Sequence, residues 1–150
     1  MSYSYHLLTT NDVPALKSLL VMFGEAFEDP VAYQSAVPSD GYLSSFLAKE
    51  HVIVLVTRTD SGEVVGGLVA YELEKFEQDR REIYIYDLAV AEAHRRQHIA
   101  TNLIKKLQEI AKERKAYVIF VQADPPDAPA VKLYESLGTR EDVYHFDITV

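Results

Sequence analysis

The segment Glu82-Ile83-Tyr84-Ile85-Tyr86-Asp87-Leu88-Ala89-Val90 runs, after a few residues, into His94-Arg95-Arg96-Gln97-His98-Ile99-Ala100-Thr101. The first part is β-branched and aromatic, which reads as a strand. The second opens a helix whose Leu103, Ile104, Leu107 and Ile110 fall on one side. A strand that feeds a helix across a short basic turn needs a sheet for the helix to pack back upon, so the chain belongs among α/β folds. A helix start also collects unpaired backbone N–H groups, and two arginines there add fixed positive charge. Together they make a site for a multiply charged phosphate ligand. Asp87 stands just upstream, so a base lies near a phosphate cradle, as in an enzyme that uses a phosphorylated cofactor.

The charge distribution supports that placement. Arg95, Arg96, Lys105, Lys106, Lys112, Arg114 and Lys115 crowd one segment with only Glu109 and Glu113 among them. The rest of the chain is acidic enough to bring the net charge to −8. One basic segment in an acidic body fits a protein that holds an anion at one place and a cation at another; the alternative is a solvated helix face with acidic loops. The same net charge argues against nonspecific nucleic-acid binding. The 150 residues make one domain, residues 1–150, large enough to bury a core. No apolar run is long enough for a membrane span, and the first residues lack a signal peptide's basic and apolar regions, so a cytoplasmic protein is expected. With no cysteine, disulfides, thiolate metal sites and acyl-cysteine intermediates are excluded.

The order of elements follows from periodicity. Ser4 to Leu8 reads as a strand. A helix capped by Asn11 or Asp12, with Pro14 in its first turn, carries Leu16, Leu19, Leu20 and Phe23 and ends near Phe27. A mixed loop leads to a second helix from about Ser39 to Lys49. Val52 to Thr57 and Val64 to Leu73 form a hairpin around Thr59-Asp60-Ser61-Gly62. After the Lys75–Arg81 loop come the strand Glu82–Val90, a helix from about Arg96 to Glu113, and a strand from Tyr117 to Gln122. Asp124-Pro125-Pro126-Asp127-Ala128-Pro129 then breaks the chain and caps a helix that runs to Leu137 and stops at Gly138. Tyr144 to Val150 is expected as a closing strand. The result is a mixed central β-sheet flanked by about four helices.

That order, with Asp87-Leu88-Ala89-Val90 and Arg95-Arg96-Gln97-His98-Ile99-Ala100, resembles the GNAT-type N-acetyltransferases. Their turn reads Gln/Arg-x-x-Gly-x-Gly/Ala and cradles the pyrophosphate of acetyl-CoA; Arg95 and Ala100 fill its first and last places. Ala130-Val131-Lys132-Leu133-Tyr134-Glu135-Ser136-Leu137-Gly138 is similar to the second signature, whose tyrosine lies by the cofactor sulfur. Longer blocks resemble the gentamicin-modifying aminoglycoside 3-N-acetyltransferases: Lys75-Phe76-Glu77-Gln78, Glu82 to Val90, Ala116-Tyr117-Val118-Ile119, Val121-Gln122-Ala123-Asp124 and His145-Phe146-Asp147-Ile148. Two departures stand out. The central glycine of the turn is His98, which fits at no cost if φ is helical but brings strain of roughly 1 kcal/mol or more if φ is positive. Asp127 stands where many members carry asparagine.

The resemblance implies a single-domain GNAT fold, acetyl-CoA as cofactor, and direct acetyl transfer to the 3-amino group of an aminoglycoside in a ternary complex, conferring resistance. It implies that Arg95, Arg96, Gln97, His98, Ile99, Ala100 and Thr101 hold the pyrophosphate, with Val90 beside the pantetheine arm and Asp127 near the cofactor. The Leu88 N–H would be an oxyanion donor and Tyr134 the acid for the departing sulfur. Asp87 would be the base or the ammonium ligand, or would act through a water. In a regular strand Ile83, Ile85, Asp87 and Ala89 share one face, so this carboxylate is either partly desolvated or lifted from that face by a bulge. A purely structural tie to backbone N–H groups is the competing role. A polycationic substrate calls for an acidic, wet pocket, for which Glu28, Asp29, Asp124 and Asp147 are candidates, with Tyr33, Tyr86 and Tyr144 as sugar-facing walls. Each of these is also ordinary surface charge or packing. A homodimer is expected from family habit alone. A metal is not expected: His94 and His98 stand four apart, but Arg95 and Arg96 between them repel a cation. No Gly-x-Ser-x-Gly elbow marks a serine hydrolase. Three rival functions remain: the same chemistry on a polyamine, other small molecule or protein terminus; a non-catalytic acyl-CoA-binding module; and a ligand-free dimerisation domain.

Overall fold

Val52–Thr59 and Val64–Glu74 are aliphatic without strict alternation, which suits strands covered on both faces, and they form the middle of the sheet. In the computed structural model, which describes residues 2–150, the elements run β1 (Tyr3–Leu7), α1 (Val13–Ala26), α2 (Pro30–Gln34), α3 (Asp40–Ala48), β2 (Val52–Thr59), β3 (Val64–Glu74) and β4 (Arg81–Val90). A 3₁₀ turn at Glu92–His94 leads to α4 (Ile99–Glu113), β5 (Ala116–Val121) and α5 (Ala128–Leu137). The strands lie in the order β1-β2-β3-β4-β5, and the first three pairings are antiparallel in a mixed sheet. The chain divides into two compact units, one ending at Phe120 and the other Val121–Val150.

Two adjacent glycines show how the first unit is layered. A Cβ on Gly67 would lie 2.5 Å from Leu19 Cδ1 of α1, and one on Gly66 would lie 2.9 Å from Ile99 Cγ2 of α4. α1 and α4 therefore cover opposite faces of β3. On the first face Leu16, Leu19 and Phe23 of α1 and Leu43 and Leu47 of α3 pack with Val52, Val54, Val56, Val69 and Ala89. On the other, Ile53, Leu55, Leu68, Ile83 and Ile85 are buried along with Ile99, Leu103 and Leu107 of α4.

Three expectations are corrected. The stretch after α1, expected as a mixed loop, holds the short helix α2, started by Pro30 and capped by Asp29, whose Oδ1 accepts from the Ala32 N–H at 3.2 Å. Five residues are too few to show a period. α4 begins at Ile99 rather than Arg96, because both Arg96 and His98 adopt left-handed backbone with φ of 62°. In the second unit, Tyr144 to Val150 has a strand's alternation but no regular secondary structure, and Tyr144, Phe146, Ile148 and Val150 are exposed. Alternation makes a strand only where a ladder partner is present. Gly138 does end α5, its N–H donating to the Tyr134 carbonyl at 2.9 Å.

Candidate active site

Register decides where the Asp87 carboxylate points. β3 and β4 pair Ala70 with Ile85 and Val69 with Asp87, which leaves Tyr86 as an extra residue on β4. Such a bulge reverses the side-chain parity beyond it. Ile83 and Ile85 thus stay on the α4 face with Ala70, while Asp87 and Ala89 turn to the α1 and α3 face with Val69. The shared face of Ile83, Ile85, Asp87 and Ala89 would hold only in a regular strand; the bulge, the alternative offered by the sequence, lifts the carboxylate out of the face that α4 covers.

On the α1 side Asp87 lines a pocket of about 170 Å³. Leu16, Leu19 and Phe23 of α1, Tyr42 and Phe46 of α3, and Tyr71 of β3 are among its walls. Tyr33 of α2 donates its hydroxyl to Asp87 Oδ1 at 2.8 Å. Burial pushes the Asp87 carboxyl above the usual aspartate range, and the Tyr33 hydrogen bond partly opposes this by favouring the anion. Burial, followed by the hydrogen bond to Asp87 and its charge, raises the Tyr33 phenol; burial and the Asp87 charge raise that of Tyr71.

Within the first unit the pocket is therefore aromatic and aliphatic with one carboxylate. Of the residues proposed to line it, Asp87 and Tyr33 meet there. Glu28 and Asp29 are exposed outside its walls, Glu28 with φ of 53° at the turn into α2 and Asp29 as the α2 cap. Tyr86, carried outward on the bulge, is 65% exposed and packs edge-on to Tyr71 and Tyr84. Tyr42, Phe46 and Tyr71 were absent from the sequence-based site. Each sits in a pattern that reads as core packing, and only the fold brings them to the pocket that Asp87 lines.

The basic turn has the character of an anion site. Residues 95 to 98 are exposed above buried Ile99. The first helical bond of α4 runs from the Asn102 N–H to the His98 carbonyl at 3.0 Å, and no side chain caps the helix. The N–H groups of Ile99, Ala100 and Thr101 thus precede the internal ladder and remain free to meet phosphate oxygens. These residues fit the pyrophosphate of a CoA ester. Arg95 sends its Nε to the Val90 carbonyl at 3.1 Å, tying the turn to the end of β4. His94 is engaged elsewhere, its Nδ1 2.9 Å from the Tyr3 hydroxyl.

His98 has φ of 62° and ψ of 18°, the conformation in which a glycine is unstrained. Replacing it by glycine should relieve roughly 1 kcal/mol of strain, partly offset by the freer unfolded chain. His98→Gly is expected to raise the melting temperature by up to about 3 °C and to bind acetyl-CoA as tightly or more tightly. Calorimetric titration and a thermal melt check both. A large loss of affinity would make the imidazole a ligand in its own right.

The remaining candidates belong to the second unit. Asp127 caps α5, its Oδ1 accepting from the Ala130 N–H at 3.3 Å. Tyr134, on α5, is half-buried, and burial with the charge of Asp127 pushes its hydroxyl up to about 12. It therefore keeps its proton at neutral pH. Asp124 is exposed, its carbonyl accepting from the Asp127 N–H at 2.9 Å. Tyr144 is 91% exposed, and Asp147 lies 2.8 Å from His145 Nε2.

An α/β sheet with a basic turn and free helix-start N–H groups after β4, and a carboxylate just past a bulge in that strand, is an arrangement that suits an acyl-CoA-dependent transferase. The chain belongs to the acetyltransferase (GNAT) family, whose model matches residues 17–139, and members of this family use acetyl-CoA as acetyl donor. It is similar, at 54% identity and a TM-score of 0.97 over 100% of this chain and 99% of the other, to an aminoglycoside acetyltransferase from an uncultured soil metagenomic sample. A second aminoglycoside acetyltransferase of such origin, in complex with sisomicin, is 31% identical with a TM-score of 0.91 over 99% and 96% of the two chains. A ribosomal-protein-alanine N-acetyltransferase from Brucella melitensis biovar Abortus 2308 is 25% identical with a TM-score of 0.78 over the whole of both chains. No curated protein sequence matches the chain. Among the described residues no helix is long and apolar enough to cross a membrane.

Proposed function

We propose that this acetyltransferase modifies aminoglycoside antibiotics at the 3-amino group of gentamicin-like compounds, by direct transfer in a ternary complex. The observation that carries the reading is the half-buried Asp87 carboxylate among the aromatic and aliphatic walls of a pocket. An anion in such surroundings attracts an ammonium strongly, and aromatic walls are compatible with a cation. The carboxylate then takes the proton that the amine must lose before it can attack. Acetyl-CoA, when bound, supplies the acetyl group as a thioester. Arg95, Arg96, Gln97, His98, Ile99, Ala100 and Thr101 hold its pyrophosphate, with Val90 along the pantetheine arm. The N–H of Leu88 serves the acetyl oxygen as a donor that side-chain mutation cannot remove. Tyr134, protonated at neutral pH, gives its proton to the departing sulfur. The names of the two aminoglycoside acetyltransferases similar to this chain support the substrate class, and the absence of cysteine fits transfer without an acyl-cysteine. Work in the cytoplasm and a homodimeric state belong to the same proposal.

The test is thiol release from acetyl-CoA with gentamicin, sisomicin, spermidine and a peptide amine, with products mapped by NMR. Acetylation of gentamicin at the 3-amino group is the expected result. Turnover of spermidine or the peptide alone would keep the chemistry and discard the resistance function. Acetylation of the drugs at another position would discard only the regiospecificity.

A further inference from the structure

We propose that Tyr33 is the positioning residue of the amine site: its hydroxyl holds Oδ1 of Asp87 so that Oδ2 is presented to a single ammonium group on a compact ring. This rests on the reading of Asp87 as the group that meets the amine.

Tyr33 lies 54 residues from Asp87 in sequence, and α2 is what carries it there. That short helix is fastened to α1. The Asp29 N–H donates to the Gly24 carbonyl at 2.9 Å, and Gln34 Nε2 donates to the Val21 carbonyl at 3.3 Å. The Tyr33 ring packs at 6.0 Å from Phe23 and 5.5 Å from Phe27. Its hydroxyl is thus placed by packing rather than by a free rotamer, as a group that orients a reacting carboxylate must be.

Oδ1 accepts from Tyr33, while Oδ2 has no hydrogen-bond partner among the described residues. The titratable groups facing Asp87 are Tyr33 from α2, Tyr42 from α3, Tyr71 from β3, and Tyr84 and Tyr86 on its own strand, with Asp29 beside Tyr33. α1 contributes only apolar side chains, and no lysine, arginine or histidine lines the pocket. Among the described residues that line the pocket, no cation competes for Oδ2.

One carboxylate neutralises one ammonium. At about 170 Å³ the pocket is also smaller than the roughly 300–1,000 Å³ that encloses a whole drug-sized ligand. It takes one amine and part of the ring that bears it, leaving the other amines outside. A site of this form selects among the amines of a polyamine substrate by which one the ring can deliver to Oδ2.

The experiment compares wild type, Tyr33→Phe and Asp87→Asn. Phenylalanine keeps the ring packing and removes the donor. The carbon-13 signal of the Asp87 carboxyl, followed in cofactor-free protein, should titrate at higher pH in Tyr33→Phe, because the hydrogen bond favours the anion. The acid limb of kcat/KM for sisomicin should move up with it. A loss of roughly tenfold or more is expected in kcat/KM, with acetyl appearing on more than one amine. An unmoved carboxyl titration, or a moved titration with unchanged acid limb and regioselectivity, overturns the proposal. Asp87→Asn as fast as wild type, or no sisomicin turnover by wild type, defeats the underlying functional reading instead. The carboxyl titration then still decides whether Tyr33 holds the carboxylate.

Discussion

Asp87→Asn should lower turnover by roughly 10²–10⁴-fold, the range for a positioned general base, and leave acetyl-CoA binding intact. Asparagine has the shape of aspartate and can still accept from the Tyr33 hydroxyl through its amide oxygen, so the pocket keeps its form. What disappears is the negative charge and the ability to take a proton. The variant also no longer buries a charge, so its melting temperature should be equal to or above that of wild type. The turn proposed to hold pyrophosphate starts several residues later and offers backbone N–H groups, which this change does not touch. The pH profile adds a second signature. In the proposed role Asp87 works as the anion, and burial raises its folded pKa above the ordinary aspartate value. The rate should therefore fall as pH drops through that raised value, earlier than for a solvated carboxylate, and the asparagine variant should lack this limb. Near-normal turnover in Asp87→Asn would remove the carboxylate from the chemistry.

The parts of this site that were legible in sequence are those with local causes. The strand before Val90, the amphipathic spacing of Leu103, Leu107 and Ile110, and the paired arginines at the helix start each follow from a pattern a few residues long. The face on which Asp87 lies was not legible, because it depends on Tyr86 bulging out against β3, a matter of pairing between strands. Sequence gave the choice between desolvation and a bulge; both occur, since the bulge turns the carboxylate from one buried face toward a pocket on the other. Tyr33 was named as a wall of the acceptor site, but its hydrogen bond to Asp87 depends on α2, too short to announce itself by period. The left-handed φ of His98 was posed as an alternative and resolved only by the backbone. Tyr144 to Val150 shows the converse: an alternating pattern states what a strand would bury and nothing about whether a neighbour is present.

The largest stability effect should come from a residue with no side chain. Gly67→Ala would set a Cβ 2.5 Å from Leu19 Cδ1 and 2.8 Å from the Leu55 carbonyl oxygen. Leu19 is only 1% exposed, and although its side chain borders the pocket, the Leu55 carbonyl belongs to the backbone of β2, hydrogen-bonded beside β3, and cannot swing aside. Either α1 must lift from the sheet or the β2–β3 pairing must spread, and overpacking of this kind costs about 1–3 kcal/mol or more. For a chain of this size that is a fall in melting temperature of roughly 4–10 °C. Neighbouring glycines calibrate the argument. Gly66→Ala meets the Ile99 Cγ2 methyl at 2.9 Å, a side chain rather than a backbone atom, and should cost less. Gly41→Ala in α3 has only Ser39 Oγ within 4.0 Å and should be neutral or gain up to about 1 kcal/mol from helix propensity. The order of melting temperatures, Gly41→Ala highest and Gly67→Ala lowest, is the checkable result; equal melting of Gly67→Ala and wild type would show that α1 is not seated on the strand as closely as this geometry requires. The effect should also reach function. Gly67 pairs with Ala89 and Val69 with Asp87, while α1 supplies Leu16, Leu19 and Phe23 to the amine pocket and anchors the helix that bears Tyr33. A displaced α1 would therefore shift both the wall of the pocket and the hydroxyl on Oδ1, and the folded fraction of Gly67→Ala should show a raised KM for the amine while its affinity for acetyl-CoA stays close to that of wild type.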